Sequence, residues 1–282
     1  MQIVRRWAAG AALTLMALAA GPGTALADKP APWQLGFQTP VSEVAKRIDV
    51  FHDWLLVVIT AISVFVLGLL GYVILRFNRD RNPTPSKTSH NTLVEIVWTV
   101  VPVIILVGIA IPSFKLLYFM DRAANAEMTL KVIAHQWYWS YEYPDHGDVK
   151  FDSYMIETKD LKPGQPRLLA TDNPVVLPVD TTVRILITST DVMHSWFVSA
   201  IGVQEYSTPG RVNEKWVRIS KEGTYYGQCN QICGVRHGFM PIQVQAVSKD
   251  AFAKWTEEAK KKFAGDNGQP AIALAQVQAQ TN

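Results

Sequence analysis

Two stretches of this 282-residue chain carry almost no polar side chains, and most of the sequence beyond them alternates between apolar and polar positions. Trp54 to Leu75 is nearly all Leu, Val and Ile. A helix of about 22 such residues crosses the hydrocarbon of a bilayer. A second apolar run goes from about Leu93 to Tyr118, with Trp98, Tyr118 and Phe119 near its ends. The pattern predicts a helical hairpin over 51–120, with spans at about 54–75 and 93–118. From Glu127 the period shortens to two. Strands are predicted at Met128–Ala134, in the aromatic string Gln136–Tyr143, at Val149–Ile156 and at Val175. Val183, Ile185 and Ile187 alternate with Arg184, Leu186 and Thr188, which suits a strand buried on one face. Trp196–Val203, Glu214–Ser220, Gly223–Gly227 and Ile242–Val247 complete the set. Many short strands between Gly and Pro turns predict an antiparallel sandwich or barrel. Ser248 is placed to cap a last helix carrying Phe252, Trp255, Ala259 and Phe263. The predicted class is an α+β membrane protein, with the hairpin first and the β domain over 121–250. Residues 251–282 are expected to form a terminal helix and a disordered tail.

Charge orients this plan. Arg76, Arg79, Arg81 and Lys87 crowd the short segment 76–92, beside Pro83 and Pro85. Positive loops stay in the cytoplasm, so both 28–50 and everything after Tyr118 are expected outside it. Residues 1–27 have the layout of a secretory signal. Arg5 and Arg6 precede the apolar Ala8–Ala20, and Ala25-Leu26-Ala27 forms an A-x-A site that would leave Asp28 first. Residues 28–50 read as a polar extracytoplasmic lead-in. Glu95 sits at the cytoplasmic start of the second span, where a carboxylate is costly unless paired, hydrated or functional. Interfacial snorkelling is its plainer explanation. Pro102 and Pro112 are tolerated in a membrane helix. The net charge of +3 is too small to point to nucleic acid.

The chemistry concentrates in Gly227–Pro241. This loop holds the two cysteines of the chain, Cys229 and Cys233, followed by His237 and Met240. Thiolate, imidazole and thioether form a soft donor set that selects copper over magnesium or calcium. His194, in Thr190-Asp191-Val192-Met193-His194-Ser195-Trp196, can reach the same end of a sandwich from another loop. Two thiolates and two imidazoles suit a binuclear copper site. A Cys229–Cys233 disulfide remains open in an oxidising compartment, as does a Cys2His2 zinc site. Absence of a C-x-x-C-H motif excludes a covalently attached haem.

The spacing Cys-x-x-x-Cys-Gly-x-x-His-x-x-Met-Pro, with an upstream His-Ser-Trp, strongly resembles the CuA site of cytochrome c oxidase subunit II. Gln136-Trp137-Tyr138-Trp139-Ser140-Tyr141-Glu142-Tyr143 and Pro209-Gly210-Arg211 resemble further motifs of that family, and the likeness runs from about Trp54 to Val247. It implies a cupredoxin fold outside a bacterial inner membrane, on the periplasmic side, bound to subunits I and III. It implies that electrons from cytochrome c pass through two copper ions to subunit I, where O2 reduction and proton pumping take place. His194, Cys229, Cys233, His237 and Met240 match the copper ligands, and Gln231 the position that lends a backbone carbonyl. The family usually has Glu there, whose side chain also binds magnesium; Tyr206 stands where an Asp is common. Magnesium through Gln231 would therefore rest on a neutral amide. Trp137 matches the electron-accepting tryptophan, whereas Trp139 and Tyr141 are expected in the core. Glu142, Asp145, Asp148, Asp172 and Asp191 match or adjoin the acidic patch that docks the lysines of cytochrome c, with His146 and Gly147 interrupting it. Glu95 matches a carboxylate at the mouth of a proton pathway. The alternative is the copper-free subunit II of a quinol oxidase.

Overall fold

The structure is a computed structural model that describes residues 27–84, 86–121 and 125–263. The expected signal over 1–27 lies outside these residues apart from Ala27, and so does the tail from Ala264. A two-residue strand, β1 (Ala27–Asp28), comes first. Helix α1 (Glu43–Arg76) follows. It starts eleven residues before the apolar run, inside the segment expected as a lead-in. The local cause is a good cap: Ser42 Oγ accepts the Ala45 N–H at 2.9 Å, with Glu43 in the first turn and Arg76 in the last. Helix α2 (Thr92–Asp121) is capped by Asn91, whose Oδ1 accepts from the N–H groups of Leu93 and Val94. Pro102 and Pro112 lie within it. Both helices are long and apolar enough to cross a membrane. Within the chain α2 buries no residue and α1 buries only Val44 and Ala45, so their apolar surfaces face outward.

Ten strands then build two sheets. They are β2 (Met128–His135), β3 (Tyr138–Tyr143), β4 (Val149–Ser153), β5 (Val175–Pro178), β6 (Val183–Ser189), β7 (His194–Val198), β8 (Val203–Ser207), β9 (Asn213–Val217), β10 (Gly223–Cys229) and β11 (Pro241–Val247). One sheet has the order β5-β11-β10-β7-β8, with β1 also paired to β10; the other has the order β4-β3-β2-β6-β9. The alternation in β2 and β6 is strict, buried positions taking turns with half-buried ones. Leu130, Val132, Ile185, Ile187, Trp139 and Tyr141 fill the space between the sheets with Trp196, Ile242 and Val244. Helix α3 (Lys249–Phe263) starts where Ser248 Oγ accepts the Ala251 N–H and lays Phe252 and Ala259 on that core.

Two expectations need correction. The sandwich is not purely antiparallel: β2 runs parallel to β6, β5 to β11 and β1 to β10. The chain crosses between the sheets on either side of β5, so these pairs join strands that are not adjacent in sequence. The run Trp196–Val203 is also not one strand. A 3-10 turn at Ser199–Ile201 and Gly202, at φ +70°, separate β7 from β8. This turn is apolar because it is buried, so hydrophobicity alone could not show it.

That turn is the socket for α1. Ser42 Oγ donates to Ile201 O at 2.7 Å, and Val41 N donates to Ala200 O at 2.9 Å. Ser220 N and Oγ both donate to Val41 O, at 2.8 and 2.9 Å. On the α2 side, Trp216 Nε1 donates to Phe119 O at 3.0 Å and the two rings meet edge to face. Gly202 has no room for a side chain: a Cβ would sit 2.6 Å from the Ala45 amide nitrogen. Gly202→Ala should therefore push α1 off the sandwich, at a cost of about 1–3 kcal/mol from overpacking plus the left-handed φ. Thermal unfolding of the full chain in detergent should show a midpoint several degrees lower; an unchanged midpoint would mean that the contact is loose.

Candidate metal centre

Three segments meet at one end of the sandwich. β10 ends at Cys229, paired across to Trp196 of β7, so His194 at the start of β7 lies at the same end. The loop after Cys229 turns back through a 3-10 turn at His237–Phe239 and re-enters the sheet at Pro241, opposite Gln228. Cys229 N donates to Met240 O at 3.4 Å, closing the loop at its base. Gly234, at φ +120°, presses against the Trp137 indole, where a Cβ would come within 3.0 Å of Cζ2.

The structure brings all six predicted ligand residues together. Cys229 Sγ lies 3.9 Å from Cys233 Sγ, and both thiols are free rather than bridged. Cys233 Sγ is 3.5 Å from His237 Nδ1 and 3.6 Å from Met240 Sδ. Cys229 Sγ points to the Gln231 carbonyl oxygen at 3.3 Å. A nitrogen of His194 and both sulfurs lie within 4.8 Å of one another. His194, Cys229, Cys233 and Met240 are buried, while His237 and Gln231 are partly exposed.

Asp191 prepares His194. Its Oδ1 receives the imidazole Nε2–H at 2.8 Å, which leaves Nδ1 as the lone-pair nitrogen. That Nδ1 is buried and has no hydrogen-bond partner, an expensive state for a polar atom unless something binds there. Asp191 also accepts the backbone N–H of Gln136 and of Val192, each at 2.6 Å. Burial works to raise its pKa, but the His194 and backbone hydrogen bonds outweigh it and hold the carboxyl below its usual range. The spacing Asp-x-x-His is the sequence signal that could have revealed this role. Asp191, which is also one of the expected docking acids, is exposed while it holds His194.

The loop is pinned from β3 as well. Gln136 Nε2 and Trp137 Nε1 both donate to the Cys233 carbonyl, at 2.9 and 3.2 Å. Trp139, buried as expected, donates from Nε1 to Met240 O at 3.3 Å. Trp137 is half-buried beside the loop, and Tyr141 is wholly buried with its hydroxyl accepting from Trp196 Nε1. These contacts to ligand carbonyls were not foreseen, because only the fold makes Gln136 and Cys233 neighbours.

The donor set fits a soft cation. Burial, then the neighbouring Cys229 thiolate, push Cys233 up to about 12 from an ordinary 9.0. Two thiolates cannot share this buried space without a positive charge between them, which a bound metal supplies. The donors do not fit magnesium. Gln231 offers a neutral amide, Tyr206 is exposed, and the adjacent Glu205 is paired with Lys215 at 3.3 Å. Magnesium takes anionic oxygens, and this chain provides no free carboxylate there among the described residues.

The remaining predicted positions lie apart. Glu142 is bridged by Lys131 at 3.0 Å and Lys150 at 3.5 Å. Asp145 accepts the Thr129 N–H, and Asp172 accepts those of Tyr154 and Asn173. Of the five expected docking acids, Asp148 alone has no protein partner among the described residues. Glu95 lies in the first turn of α2, at the far end of the hairpin, roughly 40 Å of helix from the sandwich.

Two helices able to span a membrane, a cupredoxin-like sandwich and a buried His/Cys/Cys cluster at one end make the architecture of a membrane-anchored protein with a candidate site for a soft metal. Comparison with known proteins narrows this. Residues 30–116 match the family model described as cytochrome c oxidase subunit II, transmembrane domain, and residues 128–247 the one for its periplasmic domain. A probable cytochrome c oxidase subunit 2 of Rickettsia bellii (strain RML369-C) is 50% identical over 256 residues, covering 90% of this chain and 95% of its own. The cytochrome c oxidase subunit 2 of Phytophthora megasperma is 46% identical over 233 residues, 81% of this chain and 88% of that one. The solved periplasmic domain of subunit II of cytochrome oxidase (CoxB) of Bradyrhizobium japonicum is 45% identical, with a TM-score of 0.47, covering 50% of this chain and 99% of that chain. The chain belongs to the cytochrome c oxidase subunit II family, and so to a respiratory oxidoreductase complex.

The raised thiol carries a pH dependence for the metal-free protein. A folded-state pKa above the unfolded one means that the fold holds the proton more tightly. The contribution is complete below about 9 and is lost as pH rises toward about 12. The metal-free chain should lose thermal stability between about pH 9 and 11 more steeply than Cys233→Ser does. Parallel profiles would mean that the thiol is not held protonated by the fold.

Proposed function

We propose that this chain is the electron-accepting subunit of a bacterial cytochrome c oxidase. Cytochrome c supplies the electrons, and the haem and copper of subunit I receive them, reduce O2 to water and drive proton pumping. The observation that carries this reading is the convergence of six soft or carbonyl donors in one contact network, with His194 Nδ1 buried and unpartnered. His194, Cys229, Cys233, His237, Met240 and the Gln231 carbonyl would hold two copper ions. When bound, that pair supplies a one-electron carrier whose charge is spread over both thiolates.

The chain's own residues do the positioning. Asp191 fixes the His194 tautomer. Gln136 and Trp137 hold the Cys233 carbonyl, and Trp139 holds that of Met240, so the loop moves little when its charge changes. The Trp137 indole, half-buried and bonded to that carbonyl, is the port through which the electron arrives. Glu95, at the cytoplasmic end of α2, admits protons to subunit I. The hairpin spans the bacterial inner membrane twice, in contact with subunits I and III, and the sandwich stands in the periplasm.

The full chain, purified in detergent and loaded with copper, should bind two ions and show the visible and near-infrared bands of a mixed-valence pair. Cys233→Ser should lose them. One copper per chain, or a Cys229–Cys233 disulfide that resists loading, would sink the proposal.

Docking should depend on salt. Glu142 is matched by two lysines, but Asp145, Asp172 and Asp191 accept from backbone or imidazole donors, and hydrogen bonds from neutral backbone donors leave a carboxylate its charge. Around the loop, Ile232 (81% exposed) and Val235 (87% exposed) add an apolar face. Opposed charges make such encounters salt-sensitive. Oxidation of a lysine-faced cytochrome c by the assembled complex should slow about threefold or more between roughly 50 and 200 mM salt. An unchanged rate would remove the acidic steering. In the same assay Trp137→Ala should slow cytochrome oxidation with copper content intact, and Glu95→Gln should lower turnover only. Wild-type rates would remove either residue from its role.

A further inference from the structure

Where the hairpin meets the sandwich, α1 and α2 enclose a cleft of about 740 Å³. Its wall on α1 is one helical stripe: Glu43, Lys46 and Arg47 at the top, then Val50, Phe51 and Trp54 below. Pro112, Lys115 and Leu116 of α2 complete it. The cleft is thus polar and cationic toward the sandwich, and apolar and aromatic toward the spans. Its charges do not cancel. Glu43 is taken up by Arg47, with Nε to Oε1 at 2.9 Å, and the Arg47 guanidinium lies 3.7 Å from the centre of the Phe119 ring. Lys46 and Lys115 are exposed, and neither has a carboxylate partner among the described residues. Two unmatched ammonium groups thus stand above an apolar trough that begins at the level of Trp54, where the membrane run starts.

We propose that this cleft binds one anionic glycerophospholipid from the outer leaflet. Its phosphate is held by Lys46 and Lys115, and an acyl chain lies against Val50, Phe51, Trp54, Pro112 and Leu116. The chemistry matches at both ends. A phosphodiester supplies the negative charge that the two lysines lack, and hydrocarbon covers side chains otherwise left against solvent at the interface. A zwitterionic lipid carries the same chains, but its own ammonium opposes the lysines. Because Arg47, Phe119 and Trp216 continue from the cleft into the contact between hairpin and sandwich, the bound lipid also buttresses that junction. The site depends on the membrane anchor and not on the copper proposal, and the two can fail separately.

The test uses the full chain, delipidated in a neutral detergent and titrated with dioleoyl phosphatidylglycerol or dioleoyl phosphatidylcholine. Native mass spectrometry counts the retained lipid. Quenching of tryptophan by phosphatidylglycerol brominated in its chains reports contact near Trp54. One phosphatidylglycerol should stay bound per chain, at an affinity at least tenfold above phosphatidylcholine. K46Q/K115Q should remove that preference while copper content stays unchanged, and K46R/K115R should keep it. Millimolar inorganic phosphate should not displace the lipid. Equal affinity for the two lipids, a preference that survives K46Q/K115Q, or displacement by phosphate alone would overturn the proposal. So would loss of the lipid on assembly with the other oxidase subunits, which would assign the cleft to a protein partner.

Discussion

Everything at the working end of this protein depends on placing two thiols 3.9 Å apart in a buried loop without joining them. Burial penalises ionisation of Cys233, and a negative charge on the neighbouring sulfur penalises it further. A fold holding such a pair needs a rigid frame that keeps the sulfurs from collapsing together, and a positive charge to make both thiolates tolerable. The frame is visible in the hydrogen bonds to the loop's own carbonyls: two donors from Gln136 and Trp137 on Cys233, and one from Trp139 on Met240. The space beside the sulfurs contains the unpartnered Nδ1 of His194. Under the copper proposal the metal supplies the charge. Under the same proposal, the frame would keep the geometry similar in both redox states.

The sandwich makes that frame possible by bringing distant segments to one end. β3 supplies the donors to the loop, β7 supplies His194, and β10 with β11 supplies the loop itself. The hairpin attaches elsewhere, through the 3-10 turn after β7 and the segment before β10. The site and the anchor therefore share strands but use opposite ends of them. In the family to which the chain belongs, the β domain is periplasmic, and this division of strand ends leaves the site clear of the anchor while the domain stays fixed to the membrane.

Much of this was legible in the sequence because its signals are local. A span is a run of apolar residues, and β2 and β6 alternate strictly, so each could be read from its own composition. The ligands share one loop except for His194, which a tripeptide motif marked. What escaped was set by distance in the chain or by burial. The turn at Ser199–Ile201 looks like strand because its side chains are packed under α1. The early start of α1 depends on Val44 and Ala45 meeting the turn at Gly202, far along the chain. The parallel pairs arise from crossings between the sheets. The hold of Asp191 on His194 was not legible because a carboxylate in a loop has the same letter whether it meets solvent alone or a histidine as well.

The same ambiguity of a letter bears on how the site is divided between metals. At Gln231 the main chain and the side chain have separate fates. The carbonyl faces Cys229 Sγ at 3.3 Å, a position fixed by the loop and indifferent to the side chain. The side chain is a neutral amide, while the nearby carboxylate of Glu205 answers to Lys215. A glutamine there keeps the backbone donor and removes the anion. The soft donors therefore converge within this chain, whereas the side chain of Gln231 offers a hard cation only a neutral amide oxygen.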